Sequence, residues 1–510
     1  MIIRPLSDIL ARLDLDSQVR LLGILKRSRD GSSKDLRSPL YDARPREEIV
    51  DIFREIGSFG HPEMDQIDED EIKKIGPYSI RLPFDKIRGG LLEYFETPNP
   101  RGDPWCFEYA RQRLMRLVPA RSLRPLVLDS AFGFMPKETN LGLPLLTRSK
   151  EDAVQYLRRA RYINSYLQIY PFVLFWRGQP NGTNEPKQRH VSGADHVDTI
   201  LWESFLQPML VALRSQKGFA AWNDAEYVDL AVTELLSNSV GMGYEIVSGD
   251  HSHFDSHLSM NIINTVFDCV EAWFESSAAR TINVLREEFL HTGIVCPEGW
   301  WDGRAGAVMS GTGGTNMVDS LGNLFASWYC AARTGTELFR CEVLGDDFVS
   351  VWTNPISDHL EELMSEIGLV TNQDKQFISA SSCHYLQRWH SMEYTLDGIA
   401  RGVRSPFRAL NGMLSYERLR RGWNKYMDSA RWIMQGEQVR WDKRFGRFVA
   451  LLKKGDSVMS SGVDPTDVFK LAGGSTVVRR VLGIESFPFN VKNPEGVSSF
   501  AITGVLRALQ

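Results

Sequence analysis

Apolar positions in the chain switch repeatedly between the three-to-four-residue spacing of a helix and the short runs of a strand. From about 150 to 166 the stretch EDAVQYLRRARYINSYL has helical spacing, and YPFVLFW (170–176) predicts a buried strand. The connection after it, RGQPNGTNEPKQRH, is rich in Gly, Pro and Asn and carries three cations. Residues 198–214 and 222–238 return to helical spacing. YEIVSGD (244–250) reads as a strand ending in an acidic turn, and SHLSMNIINTVFDCVEAWF beyond it as a helix. SGTGG (310–314) cannot be regular structure, and the stretch after it sets Met317, Leu321, Leu324 and Trp328 on one helical stripe. FRCEVL and FVSVW flank Gly345-Asp346-Asp347, the sequence form of a β-hairpin with carboxylates at its tip. A helix through SDHLEELMSEI, stopped by Gly368, and a strand near 375–379 complete an alternating α+β region.

Composition narrows the class. At roughly 100–200 residues per domain, 510 residues allow several packing units and exclude a lone small module. Hydrophobic residues make up 43% and charged residues 24%, far from the composition of disorder. No period of 20–50 residues recurs, so solenoids and propellers fall away. No apolar run approaches the ~18 residues of a membrane span, and the N-terminus is unlike a signal peptide, so a soluble, untargeted protein is expected. The six scattered cysteines contain no CxxC pair, which predicts free buried thiols.

The net charge of −5 does not announce a nucleic-acid binder, so a polyanion must be met by local patches. Residues 401–450 provide one: twelve Arg and Lys against four acids, interleaved with Trp423, Trp432 and Trp441. The basic run RSRDGSSKDLRS reads as an exposed arm, and the acids of EMDQIDEDEIKK (63–74) as a solvated face.

Three acids at two strand ends carry the strongest chemical signal: Asp250, Asp346 and Asp347. Hard Mg²⁺ ions are held by carboxylates together with substrate phosphates, and two such ions clamp the attacking and leaving oxygens of an in-line displacement. A Gly-Asp-Asp turn alone is weak, because most such turns are structural. Between two apolar half-strands and in order with other segments it is strong.

Over roughly residues 130–410 those segments resemble viral RNA-dependent RNA polymerases, especially those of double-stranded RNA viruses of the partitivirus and picobirnavirus type. Asp250-His-Ser-His-Phe-Asp255 matches the family's motif A, Ser310-Gly-Thr-Gly-Gly-Thr315 its motif B loop, and Gly345-Asp346-Asp347 its motif C. Lys375 falls at the motif D lysine, and CHYLQRW (383–389) looks like motif E. Thr139-Asn-Leu-Gly142-Leu-Pro144 is similar to motif G, and Arg177 with Lys187-Gln-Arg189 to the basic motif F.

The resemblance implies a right hand closed by fingertip contacts, with an antiparallel palm sheet backed by helices. It implies an N-terminal arm over 1–60, fingers over 61–240 with an insertion at 269–305, palm at 241–268 and 306–400, and thumb and tail over 401–510. It implies nucleotidyl transfer with two Mg²⁺ ions, Mn²⁺ as a substitute, held by Asp250, Asp346 and, more weakly, Asp347. RNA template and product, nucleoside triphosphates and a capsid protein are the implied partners of a monomer working in the virion interior and host cytoplasm, with no membrane.

Site roles follow. Asp255 lies where it accepts a bond from the ribose 2′-OH; its bland alternative is a helix cap. Arg177, Lys187 and Arg189 are placed for triphosphate binding, Arg189 with bidentate geometry. Lys375 is expected to donate a proton to departing pyrophosphate. Ser310 and Thr315 are expected in the nucleotide and template network, Gly311, Gly313 and Gly314 to let the loop move, and Thr139 and Gly142 to lie along the template. One position departs from the family: Asp319 stands where an Asn is usual, with Asn323 one helical turn later. Two carboxyls near one hydroxyl require a proton on one of them, an intervening water or Arg, or a sugar contact from Asn323 instead.

Two rival readings exist. His251, His253, Asp255 and His257 form HxHxDxH, close to a zinc-hydrolase pattern, but Ser256 separates the Asp and His that the pattern has adjacent. A non-catalytic viral RNA-binding protein would use the 401–450 region and leave the three acids unexplained.

Overall fold

The computed structural model describes residues 1–510 apart from 136–139, 148, 150–151, 153–154, 156–169, 250, 372–375 and 483–495. Most of the helix expected over 150–166 therefore lies outside the described residues.

Strands β1 (Ile2–Arg4), β2 (Phe172–Gln179), β3 (Lys187–Gly193), β6 (Ile294–Cys296) and β7 (Gly299–Asp302) form an N-terminal sheet in the order β1–β7–β6–β2–β3. Strands β4 (Glu245–Gly249), β8 (Leu338–Leu344), β9 (Asp347–Trp352) and β11 (Phe377–Ser379) form the central sheet, antiparallel throughout, in the order β11–β4–β9–β8. β5 (His251–Ser252) pairs with β10 (Val370–Thr371), and β12 (Ser382–Tyr385) with β13 (Arg388–Ser391).

The central sheet is buried on both faces, which is why its strands read as unbroken apolar runs. On β9, Phe348 and Trp352 enter a core shared with the helices Met260–Trp273 and Thr315–Thr334, while Val349 and Val351 enter one shared with the helix Ala225–Ser237. The single apolar stripe expected on Thr315–Thr334 understates its burial: every residue from Met317 to Cys330 is buried, Asp319 and Asn323 among them. That helix also packs against Pro104–Met115, through Leu114, Leu324 and Phe325. The Met260–Trp273 helix runs across the 268/269 boundary, so sequence order and spatial units differ there. All six cysteines are buried and free, and among the described residues no helix is long and apolar enough to cross a membrane.

Three charge expectations change. The basic run is no free arm: RSRD ends the helix Leu15–Asp30, and the chain beyond it lies on the C-terminal helices. There Ser38 N donates to Leu414 O at 3.0 Å and Tyr416 N to Leu36 O at 2.8 Å. The acids of 63–74 are not simply a solvated face. On the helix Pro62–Lys73, Glu63 accepts from Ser382 Oγ at 2.6 Å and Trp389 Nε1 at 2.7 Å, and Asp68 and Glu71 are buried. The cations of 401–450 are largely committed: Arg444 lies 2.7 Å from both Asp68 and Asp442, Arg408 lies 3.0 Å from Glu71, and Arg431 donates to main-chain carbonyls. Arg418, Arg421, Lys425, Lys443 and Arg447 remain exposed.

Candidate active site

The tip of the β8–β9 hairpin is fixed from below by one face of the Thr315–Thr334 helix. Gly345 takes φ 63°, which favours glycine, and its N–H donates to Ser320 Oγ at 2.8 Å. Asn323 Nδ2 donates to the carbonyls of Gly345 at 3.1 Å and Asp346 at 3.0 Å, so its Oδ1 faces His251 Nε2 at 3.3 Å. His251 therefore carries its proton on Nε2; burial pushes its pKa down to about 4 and keeps the ring neutral. The ring lies 4.9 Å from Phe254 and 5.2 Å from Phe348, centre to centre. Asn323, considered for the sugar, is fully buried and holds the carboxylate turn in place.

Above this floor the acids gather. Asp255 lies in the short helix Phe254–His257, whose cap position is His253, so it is not the helix cap of the bland reading. Burial and the negative charge of Asp346 push the Asp255 carboxyl up to about 7, opposed by Arg189. Asp319, 4% exposed, is also pushed well up, by burial first and then by Asp255 and Asp346. Its Oδ1 has no hydrogen-bond partner among the described residues. Of the alternatives for this pair, a proton held on one carboxyl agrees with these directions. Asp347 opens β9, opposite Leu344.

The basic residues come from the β2–β3 ribbon, whose register sets Arg177 opposite Arg189 and Gln179 opposite Lys187, all on one face. Arg189 Nε donates to Gln179 Oε1 at 2.6 Å. A cavity of about 370 Å³ is lined by Arg177, Arg189, Gln179, Lys74, Arg404 and Arg408. Lys187, at the outer end of the ribbon, does not line it.

The glycine loop is packed tightly. A Cβ on Gly311 would stand 1.4 Å from Ser192 O, and one on Gly313 or Gly314 would meet Trp202 at 2.6 or 2.4 Å. None of the three has a positive φ, so close approach rather than backbone freedom accounts for them here. Ser310 Oγ donates to His190 O at 3.2 Å and so ties the loop to β3, while Thr315 Oγ1 bonds to the carbonyls of Met309 and Thr312 at 3.0 Å within the loop itself. Gly142 takes φ 63° against Ala194 O. Thr139, Asp250 and Lys375 lie outside the described residues.

Two contributors carry no local sequence signal. Asp198, buried on the helix His196–Leu213, accepts from Thr312 Oγ1 and Gly313 N at 3.4 Å. Tyr94 lies within electrostatic reach of Asp255, Asp319 and Arg189.

The histidines do not converge on zinc. His251 faces Asn323, His253 Nδ1 lies 2.8 Å from Glu93 Oε2, and His257 Nδ1 lies 3.1 Å from His253 O. Among the described residues, no group of three His, Cys, Asp or Glu side chains is placed to hold a metal, and Asp250 is outside that set. The cleft's donors are hard carboxylate oxygens that raise one another's pKa, with an orphaned Asp319 Oδ1. That chemistry fits a hard divalent cation and not a thiolate or imidazole site.

Comparison with known proteins agrees. A profile of viral RNA-dependent RNA polymerases matches residues 130–411. A potential RNA-dependent RNA polymerase of human picobirnavirus (strain Human/Thailand/Hy005102) is 25% identical over 446 residues, covering 84% of this chain and 83% of the relative. The crystal structure of the RNA-dependent RNA polymerase of a human picobirnavirus superposes with TM-score 0.84 at 20% identity, covering 99% of both chains. Its insertion-loop deletion mutant gives TM-score 0.84 at 21% identity.

Proposed function

The chain belongs to the viral RNA-dependent RNA polymerases, and from that premise we propose that it replicates and transcribes a double-stranded RNA genome, as its likeness to a picobirnavirus protein suggests. It is an RNA-directed RNA polymerase; the roles of its residues are our assignment. The observation that carries them is the hairpin tip: Asp346 stands where its charge is felt by both Asp255 and Asp319, opposite Arg189.

Asp250, Asp346 and Asp347 are assigned to hold two Mg²⁺ ions, which when bound lower the charge on the attacking 3′-oxygen and the leaving pyrophosphate. Asn323, Ser320 and His251 keep the turn rigid, so the Asp346 carboxylate meets its ligand without reorganising. Arg189 and Arg177 receive the triphosphate from the cavity side, with Lys187 at the ribbon's outer end. Asp255 accepts the ribose 2′-OH, and Asp319 shares a proton with it where the family has an amide. Lys375 protonates the departing pyrophosphate. Ser310, Thr315 and Asp198 hold the glycine loop beside the nucleotide, and Thr139 and Gly142 border the template. Fingers before about 240 and near 269–305, palm around the central sheet and thumb after 400 are our division. A capsid-protein partner, a monomeric state and a location in the virion interior and host cytoplasm belong to the same proposal.

Metal dependence of labelled NTP incorporation on an RNA template tests it. Synthesis with Mg²⁺ or Mn²⁺, lost in chelator and not restored by Zn²⁺, is expected. RNA binding with no incorporation under any of these ions would contradict it.

A further inference from the structure

Arg304 is 1% exposed and, among the described residues, has no carboxylate as an ion-pair or electrostatic partner, Tyr94 being its one ionisable neighbour. Its guanidinium instead donates to five main-chain carbonyls: Phe289 and Gly306 at 2.5 Å, Ala307 at 2.8 Å, Thr292 at 3.1 Å and Glu288 at 3.5 Å. Burying a cation without a counter-ion is unfavourable unless its donors are satisfied. Here the acceptors need donors. Phe289 and Thr292 lie at the end of the helix Ala279–His291, where carbonyls lack intrahelical partners, while Glu288 O also accepts from Thr292 N at 3.0 Å. Gly306 and Ala307 form a left-handed turn with φ 90° and 59°. For Ala307, which is fully buried, that conformation is unfavourable for any residue with a Cβ.

The turn is seated on the Asp255 segment. Ala307 N donates to Leu258 O at 3.1 Å and Val308 N to Asp255 O at 2.6 Å. A Cβ on Gly306 would come within 3.1 Å of Met260 N.

We propose that Arg304 is a positioning residue for sugar selection: by clamping the Gly306–Ala307 turn it sets the Val308 N–H on the Asp255 carbonyl, and so fixes where the Asp255 carboxyl stands in the cleft. The inference rests on the assignment of Asp255 to the ribose.

The test is the ratio of kcat/KM for an NTP and its 2′-deoxy analogue, measured with the full chain on an RNA template for the parent, Arg304→Lys and Asp255→Ala. A variant that merely unfolds part of the population loses both substrates equally and keeps the ratio. Lysine keeps the charge but not the five-donor fork, so Arg304→Lys is expected to lower the ratio roughly tenfold, short of the ~100-fold that an ångström-scale misplacement can cost. A collapsed ratio in Asp255→Ala beside a parental ratio in Arg304→Lys overturns the role of Arg304 alone. A parental ratio in Asp255→Ala overturns the ribose assignment and this inference with it. If Arg304→Lys does not fold, Ala307→Val strains the same turn without touching the guanidinium. A lowered ratio there supports the clamp, and a parental ratio overturns it.

Discussion

Between the helix Pro62–Lys73 and the C-terminal helices, Arg444 stands 2.7 Å from Asp68 and 2.7 Å from Asp442, all three buried. In the cleft, Asp255 and Asp319 instead face Asp346 and each other, with Arg189 the opposing charge. One set pairs its acids with a buried cation, and in the other the acids raise one another's pKa. The first set's charges hold the helix Pro62–Lys73 to the C-terminal helices, and the cleft's are the ones we assign to metal and nucleotide.

The largest effect should come from breaking the closed set. Arg444→Met leaves Asp68 and Asp442 buried without their cation and should cost about 3–5 kcal/mol, read by denaturant unfolding. The nucleotide dependence of the remaining folded enzyme should not change. If KM for NTPs rises instead, these charges are not merely structural.

Gly311→Ala probes the packed loop between the two regions. Its Cβ would lie 1.4 Å from Ser192 O, so the loop must shift, and kcat/KM should fall by about 100-fold while stability falls by only about 1–3 kcal/mol. Parental kinetics would show that the loop is not held against β3 during synthesis.

Protonation separates the two sets more gently. Asp255 and Asp319 have folded pKa values above their unfolded ones, so the folded state binds more protons above the ordinary carboxylate range, for Asp255 up to about pH 7. Their contribution to stability is full below the unfolded pKa and is lost as pH rises through the folded one. In chelator, the unfolding midpoint should therefore fall as pH rises from about 4 to 7, and Asp319→Asn should flatten that slope. An unchanged slope in the variant would remove Asp319 from the coupled pair.

These contrasts mark how far the sequence reads. The β8–β9 hairpin was legible because apolar runs on both sides of Gly345-Asp346-Asp347 have a local cause, burial of both sheet faces. The role of 63–74 was not, because Glu63, Asp68 and Glu71 find Ser382, Trp389, Arg444 and Arg408 more than 300 positions away. The bonds of Asn323 to the hairpin turn had no local signal either, because its amide meets carbonyls 22 and 23 positions away. The glycines at 311, 313 and 314 were correctly taken as a loop, but only the positions of Ser192 and Trp202 give the steric reason for them.

The smallest effect should come from cations that neither region has closed. Arg418→Ala with Arg421→Ala should leave stability within about 0.5 kcal/mol and weaken RNA binding modestly, reducing the salt slope by about one per lost phosphate contact. An unchanged salt slope would remove these two exposed residues from the RNA path.

The most direct measurement is template-directed RNA synthesis by Asp346→Asn in Mg²⁺, with thermal unfolding recorded on the same preparation. The substitution keeps the side chain's size and removes the charge at the hairpin tip. Synthesis should be abolished with folding intact; a folded variant that incorporates NTPs at near the parental rate would contradict the assignment of catalysis to this hairpin.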